Sequence, residues 1–171
     1  MNKKERRWVV PLLWIMFLTV VIGIAIVSFQ SGEESKHIGE VWIYRLAQRK
    51  NPGERVTQEE LSQVTYIVRQ LIREIAFFVI GILGTITIHA TCKKKSWFIK
   101  TEISAAILAL IAYFTEAVKK FIPSRHYSEE EMMLSMGAAA AGFLLVSLFS
   151  LLGMGCKYLI NRKRKKEPSD F

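Results

Sequence analysis

The residue types able to do chemistry gather in one stretch of this chain, where Glu116, Lys119, Lys120, Arg125 and His126 lie between two long apolar blocks. Glu116 stands three residues before Lys119 and four before Lys120, spacings at which helical side chains meet, so either pair can close an ion pair. The same cations read differently if they face outward together. Lys119, Lys120 and Arg125 would then form an anion site, since a guanidinium grips phosphate or carboxylate through two parallel hydrogen bonds. A lipid headgroup, or the pyrophosphate of a lipid-linked cell-wall precursor, has the matching chemistry. A third arrangement sets Glu116 and His126 as acid and base with Arg125 on the phosphate, a layout for hydrolysis or transfer of a lipid phosphate. No pattern in the chain demands that reaction.

The remaining polar residues narrow the choice. His37, His89 and His126 have no second ligand at helical spacing, so no metal site is expected. A Gly-x-Ser-x-Gly elbow, a phosphate loop and a dinucleotide fingerprint are all absent from the sequence, so no cofactor is expected and a non-enzymatic role is favoured. Cys92 and Cys156 lie near basic helix ends and read as reduced thiols rather than a disulfide. Ser128-x-x-Glu131 before an apolar run has the form of a capping box, which accounts for both residues without a ligand.

The elements that must position these residues are apolar and long. The chain has 171 residues, of which 51% are hydrophobic. Trp8 to Phe29 carries no charge over about twenty residues, enough to span a hydrocarbon core of about 30 Å. Met132 to Cys156 is a second such block. A third runs from about residue 74 to Thr91. The weakest covers about 99–117, where Lys100 must snorkel towards headgroups for the segment to cross. The expected fold class is therefore an all-α membrane protein of four transmembrane helices, with spans at about 8–29, 74–91, 99–117 and 132–157.

Charge sets the expected topology. Lys and Arg number 24 against 15 Asp and Glu, a net charge of +9. The cations sit beside the apolar blocks, at Lys3–Arg7, Lys93–Lys100 and Arg162–Lys166, as the positive-inside bias requires of cytoplasmic flanks. That distribution excludes nucleic acid as the partner and points to membrane lipids. An even number of spans places both termini in the cytoplasm of a multi-pass cell-membrane protein. Residues 1–160 then form one membrane domain and 161–171 a basic cytoplasmic tail.

Two outer amphipathic helices are expected within 35–73, between the first and second spans. Ile38, Val41, Trp42 and Leu46 fall on one helical stripe, and Asn51-Pro52-Gly53 marks a turn. Thr57-x-x-Glu60 then opens a second helix as a capping box, with Leu61, Val64, Val68, Leu71, Ile72 and Ile75 on its apolar face. In the last span, Ser135, Gly137, Ala138, Ala139, Ala140, Ala141 and Gly142 make a small-residue face for close helix approach. Its partner could be the bundle itself, a transporter to which this chain is an accessory subunit, or a second copy meeting the Gly137/Gly142 face.

Three patches carry a resemblance to a family. Val27-Ser28-Phe29-Gln30-Ser31-Gly32-Glu33-Glu34-Ser35 is similar to a Phe-Ser-x-Gln-Ser-x-x-x-Ser span exit. Arg73-Glu74-Ile75-Ala76-Phe77-Phe78, with Leu83-Gly84 beyond it, resembles an Arg-Lys-x-x-His-Phe-x-Glu-Tyr pattern closed by Leu-Gly. Glu116, Phe121, Ile122, Pro123, Arg125 and Ser128 match positions of a third run containing Phe-Val-Pro-Gly-Arg. Together, across about Trp8 to Leu152, the chain resembles a divergent member of the VanZ-like family of bacterial membrane proteins. It departs at Phe77, Ile80 and Gly81, where the family has His, Glu and Tyr, and at Thr115, Lys119, Ser124, Glu131 and Ser135. The resemblance implies a link to teicoplanin (glycopeptide) resistance, with a lipoglycopeptide or a lipid-linked envelope precursor as the molecule bound at the outer leaflet.

Overall fold

A computed structural model describes residues 5–29, 32–50, 57–121 and 128–164, and all regular structure among them is helical. Helix α1 covers Glu5–Phe29 and α2 covers Gly32–Lys50. Helix α3 covers Gln58–Thr91, α4 covers Trp97–Ala117 and α5 covers Glu129–Arg164. A 3-10 turn, Val118–Phe121, extends α4 without a break. Four helices are long and apolar enough to cross a membrane: α1, α3, α4 with its 3-10 turn, and α5.

Helix α3 organises the bundle, because it packs against each of α1, α2, α4 and α5. It is one helix of 34 residues, about 51 Å at 1.5 Å per residue. The stretch expected as a second outer helix is thus continuous with the span that follows it. Its buried residues begin at Leu61 and Thr65 and resume at Phe77, Ile80 and Gly84, whereas Val64, Val68, Leu71, Ile72 and Ile75 of the expected apolar face are exposed. Thr57 starts the helix as expected: the Glu60 carboxylate accepts hydrogen bonds from the Thr57 backbone N–H at 3.2 Å and its hydroxyl at 2.6 Å. Thr57→Ala is expected to weaken the first turn by about 1 kcal/mol. Faster amide exchange at Leu61, whose N–H bonds the Thr57 carbonyl, would register the loss. Unchanged exchange there would show the cap to be idle.

Close approach happens where side chains are smallest. A Cβ on Gly81 would collide with the backbone of Ala139 and Phe143, and one on Gly142 with the backbone of Phe78 and Ile82. Helices α3 and α5 therefore cross in direct backbone contact, the use expected of the small-residue face. Gly142 is committed to this crossing inside the chain, whereas Gly137 has open space beside it. One turn on, Gly84 receives the Phe17 ring from α1 and the Leu108 side chain from α4. Phe17, Ile80 and Leu108 form one buried cluster, and Phe77, Ala112 and Ala139 another. At the far end of α3, Trp14 Nε1 donates to Thr91 Oγ1 at 3.0 Å and ties α1 in place.

Polar groups inside this apolar bundle mostly satisfy themselves. Thr65, Thr85, Thr87, Ser104 and Thr115 each donate their hydroxyl to the carbonyl one turn earlier. The outward faces are apolar instead, with Leu12, Ile15, Ile22, Leu144, Leu148 and Phe149 all exposed. Helix α2 lies against the early part of α3, where a Cβ on Gly39 would come 2.7 Å from the Thr65 methyl.

Candidate functional site

Four charged side chains from three parts of the chain meet at one end of the bundle. Helix α4 supplies Glu116 from its last turn, and the 3-10 turn supplies Lys119. Arg73 comes from the middle of α3 and Glu131 from the first turn of α5. Lys119 Nζ lies 2.6 Å from Glu116 Oε2 and 3.3 Å from Glu131 Oε2. Arg73 Nη1 lies 2.5 Å from the same Glu131 oxygen and 3.8 Å from Glu116 Oε1. The cluster is deeply placed: the Glu116 and Lys119 side chains are 1% and 2% exposed, those of Arg73 and Glu131 18% and 24%.

Local geometry explains which lysine pairs with Glu116. In a 3-10 turn, residues three apart eclipse one another, whereas in an α-helix the three- and four-residue spacings compete. The tightening at Val118 therefore stacks Lys119 on Glu116 and turns Lys120 to the exposed side. Arg73 reaches the cluster because it lies one turn before Phe77 on the buried stripe of α3. Glu131 departs from its expected role. Ser128 does cap α5, its hydroxyl accepting the Glu131 N–H at 3.4 Å. The Glu131 carboxylate, however, turns to Arg73 and Lys119, because two cations, one of them fully buried, draw it more strongly than one backbone N–H.

Two cations and two anions balance to zero, which is how charge becomes tolerable away from water. Balance does not explain why the charges exist. A buried ion pair can often be replaced by packed apolar side chains at no loss of stability. Ionisable groups set among apolar helices are thus candidates for function first. The hydrogen bonding supports that view, because it is incomplete. Arg73 Nε and Nη2 are buried with no partner among the described residues, and so is the hydroxyl of Ser135. Ser135 is fully buried one helical turn from Glu131, so the two share a face of α5. Unlike the hydroxyls that bond back to their own helix, it leaves a polar atom unspent one turn along α5 from Glu131. A guanidinium offers five donors, and here Glu131 and Glu116 engage only the Nη1 corner.

Of the five residues singled out by sequence, the structure brings together Glu116 and Lys119. Lys119 faces the bundle interior, so it does not belong to an outward-facing surface. Arg125 and His126 lie outside the described residues. His37 is exposed on α2, and His89 sits sixteen positions beyond Arg73 on α3, about 24 Å away along the axis. Among the described residues, no three His, Cys, Asp or Glu side chains are grouped to hold a metal. Phe77 and Ile80 are buried apolar core residues at 1% and 0% exposure. The residues missed at first were Arg73, Glu131 and Ser135. The available signal was a lone Arg at the start of an apolar run, facing an acidic stretch at the start of another.

Comparison with protein-family models, curated proteins and solved structures finds no match for this chain.

Proposed function

We propose that this chain is a four-span membrane protein that binds the anionic group of an amphipathic molecule at the outer leaflet, without catalysing its conversion. The observation that carries the reading is the unsaturated Arg73 guanidinium, whose Nε and Nη2 are buried without a partner among the described residues, inside a cluster of two cations and two anions. Its depth fits. Arg73 lies eighteen positions from Thr91, about 27 Å along α3, so the guanidinium sits near the edge of a hydrocarbon core of about 30 Å. The basic Lys93–Lys95 loop at the other end favours the cytoplasm, which supports an outer position for the cluster. Headgroups meet hydrocarbon at that depth.

The VanZ-like resemblance supports the same reading and adds glycopeptide resistance as its setting, through an envelope lipid or the lipoglycopeptide itself. A catalytic role has less to rest on, since no base stands in the cluster without a cation against it: Lys119 holds Glu116, and Arg73 with Lys119 holds Glu131. The test is mass spectrometry of lipids that co-purify with the protein in mild detergent. Arg73→Gln is expected to lower the anionic lipid retained at least tenfold, with Lys120→Gln as a surface comparison retaining most of it. Equal retention by wild type and Arg73→Gln would end the proposal.

A further inference from the structure

The ligand's charge and the manner of its entry are also readable from the cluster. We infer that Glu131 occupies the position of the ligand's anion in the empty protein, and that a singly charged phosphodiester headgroup takes its place. This rests on the binding role proposed above and specifies it further.

Glu131 is the one carboxylate built to move. Glu116 is 1% exposed and locked against Lys119 at 2.6 Å within a single helical turn. Glu131 is 24% exposed, in the first turn of α5, and offers one oxygen to two cations from two other parts of the chain. It meets Arg73 through Nη1 alone and leaves Nε and Nη2 idle. The two unesterified oxygens of a phosphodiester suit a guanidinium edge better, since they accept two parallel bonds at once. Such a group would engage donors that Glu131 leaves unused and keep one oxygen near Lys119.

Charge then sets the class. With Glu131 swung to solvent, Arg73, Lys119 and Glu116 leave one net positive charge in the cluster among the described residues. A monoanion restores the sum to zero, whereas a dianionic monoester or pyrophosphate would leave an uncompensated negative charge in a low-dielectric site. An anion added without displacing Glu131 carries the same penalty, so exchange is the favourable route. Space for the rest of a headgroup lies alongside. A groove of about 550 Å³, lined by Ser62, Gln63, Thr65, Tyr66, Ile67 and Arg69, ends one turn from Arg73 on α3. Acyl chains would continue beside the exposed apolar faces, which identifies the source as a lipid rather than a soluble diester.

The test is calorimetric titration of the full-length protein in detergent with dioctanoyl phosphatidylglycerol. Glu131→Gln removes the competing anion and is expected to tighten binding about tenfold, while Arg73→Gln abolishes it. Unchanged or weaker binding by folded Glu131→Gln, with wild type still binding, overturns the exchange and leaves the proposed function standing. No binding by wild type or Glu131→Gln overturns both. Dioctanoyl phosphatidic acid at pH 9, a dianion, is expected to bind wild type at least tenfold more weakly, and equal or tighter binding overturns the charge assignment. Dimethyl phosphate, which has no chains, should compete only at concentrations about a hundredfold higher, and equal competition overturns the lipid source. Should Glu131→Gln fail to fold, wild-type protein still decides the matter. Amides of Glu131 and Met132 are expected to exchange faster with phosphatidylglycerol bound, because the carboxylate that pins the turn has left, and slower exchange contradicts displacement.

Discussion

Glu116→Leu is expected to destabilise the protein by about 3–5 kcal/mol, because it strands Lys119 as a buried cation without its nearest counter-charge. Lys119 Nζ is 2.6 Å from Glu116 and 3.3 Å from Glu131, and its side chain is 2% exposed, so water cannot take over the lost partner. Removing both members tells the pair's worth from the cost of breaking it. Glu116→Leu with Lys119→Leu leaves Arg73 against Glu131, a balanced pair already in contact. The double variant is therefore expected to recover most of the stability lost by Glu116→Leu alone, since matched apolar replacements of buried pairs are often neutral. Thermal unfolding in detergent, followed by the loss of soluble monodisperse protein, reads both outcomes. A double variant no more stable than the single one would mean that the two residues act separately. If the double variant is stable yet retains less anionic lipid than the wild type, the charges serve binding rather than folding.

The second large effect belongs to the crossing of α3 and α5. Gly142→Leu is expected to cost about 3 kcal/mol or more, at the upper end of what overpacking a core does. The atoms a Cβ would strike are backbone atoms of Phe78 and Ile82, which have no rotamer to escape into, so the helices must part. Parting would also pull Ala139 from Phe77 and Ala112, emptying a core cluster. Gly137→Leu is the contrast, because nothing lies within 4 Å of its would-be Cβ. That change is expected to be neutral or to stabilise by up to about 1 kcal/mol, because it relieves the cost of a glycine inside a helix. The same unfolding assay compares them. Equal tolerance of the two substitutions would refute the close crossing.

Much of the architecture is legible along the chain, and for a common reason. The four long apolar helices follow from runs of residue type, which report on their own neighbourhood whatever the rest of the molecule does. The Thr57–Glu60 cap is legible because both partners sit within one turn. The Glu116–Lys119 contact was among the spacings that allow an ion pair, although the choice of Lys119 over Lys120 needed the 3-10 turn at Val118. The division of 35–73 from the span after it does not hold, because no glycine or proline interrupts α3 over residues 58–80.

The cluster itself could not be read this way, because its members are far apart in sequence and meet only through helix register. Arg73 and Glu131 are 58 residues apart. What aligns them is the contact of Gly81 with Ala139, where α3 and α5 touch backbone to backbone. Arg73 stands eight positions before Gly81 and Glu131 eight before Ala139, so each is about 12 Å from the contact along its own helix. Hydropathy and local spacing specify which segments are helices and which faces are apolar. They carry no information on which turn of one helix meets which turn of another. That alignment depends on where the smallest side chains let two backbones close, and it brings an arginine and a capping glutamate 58 residues apart into one half-buried site.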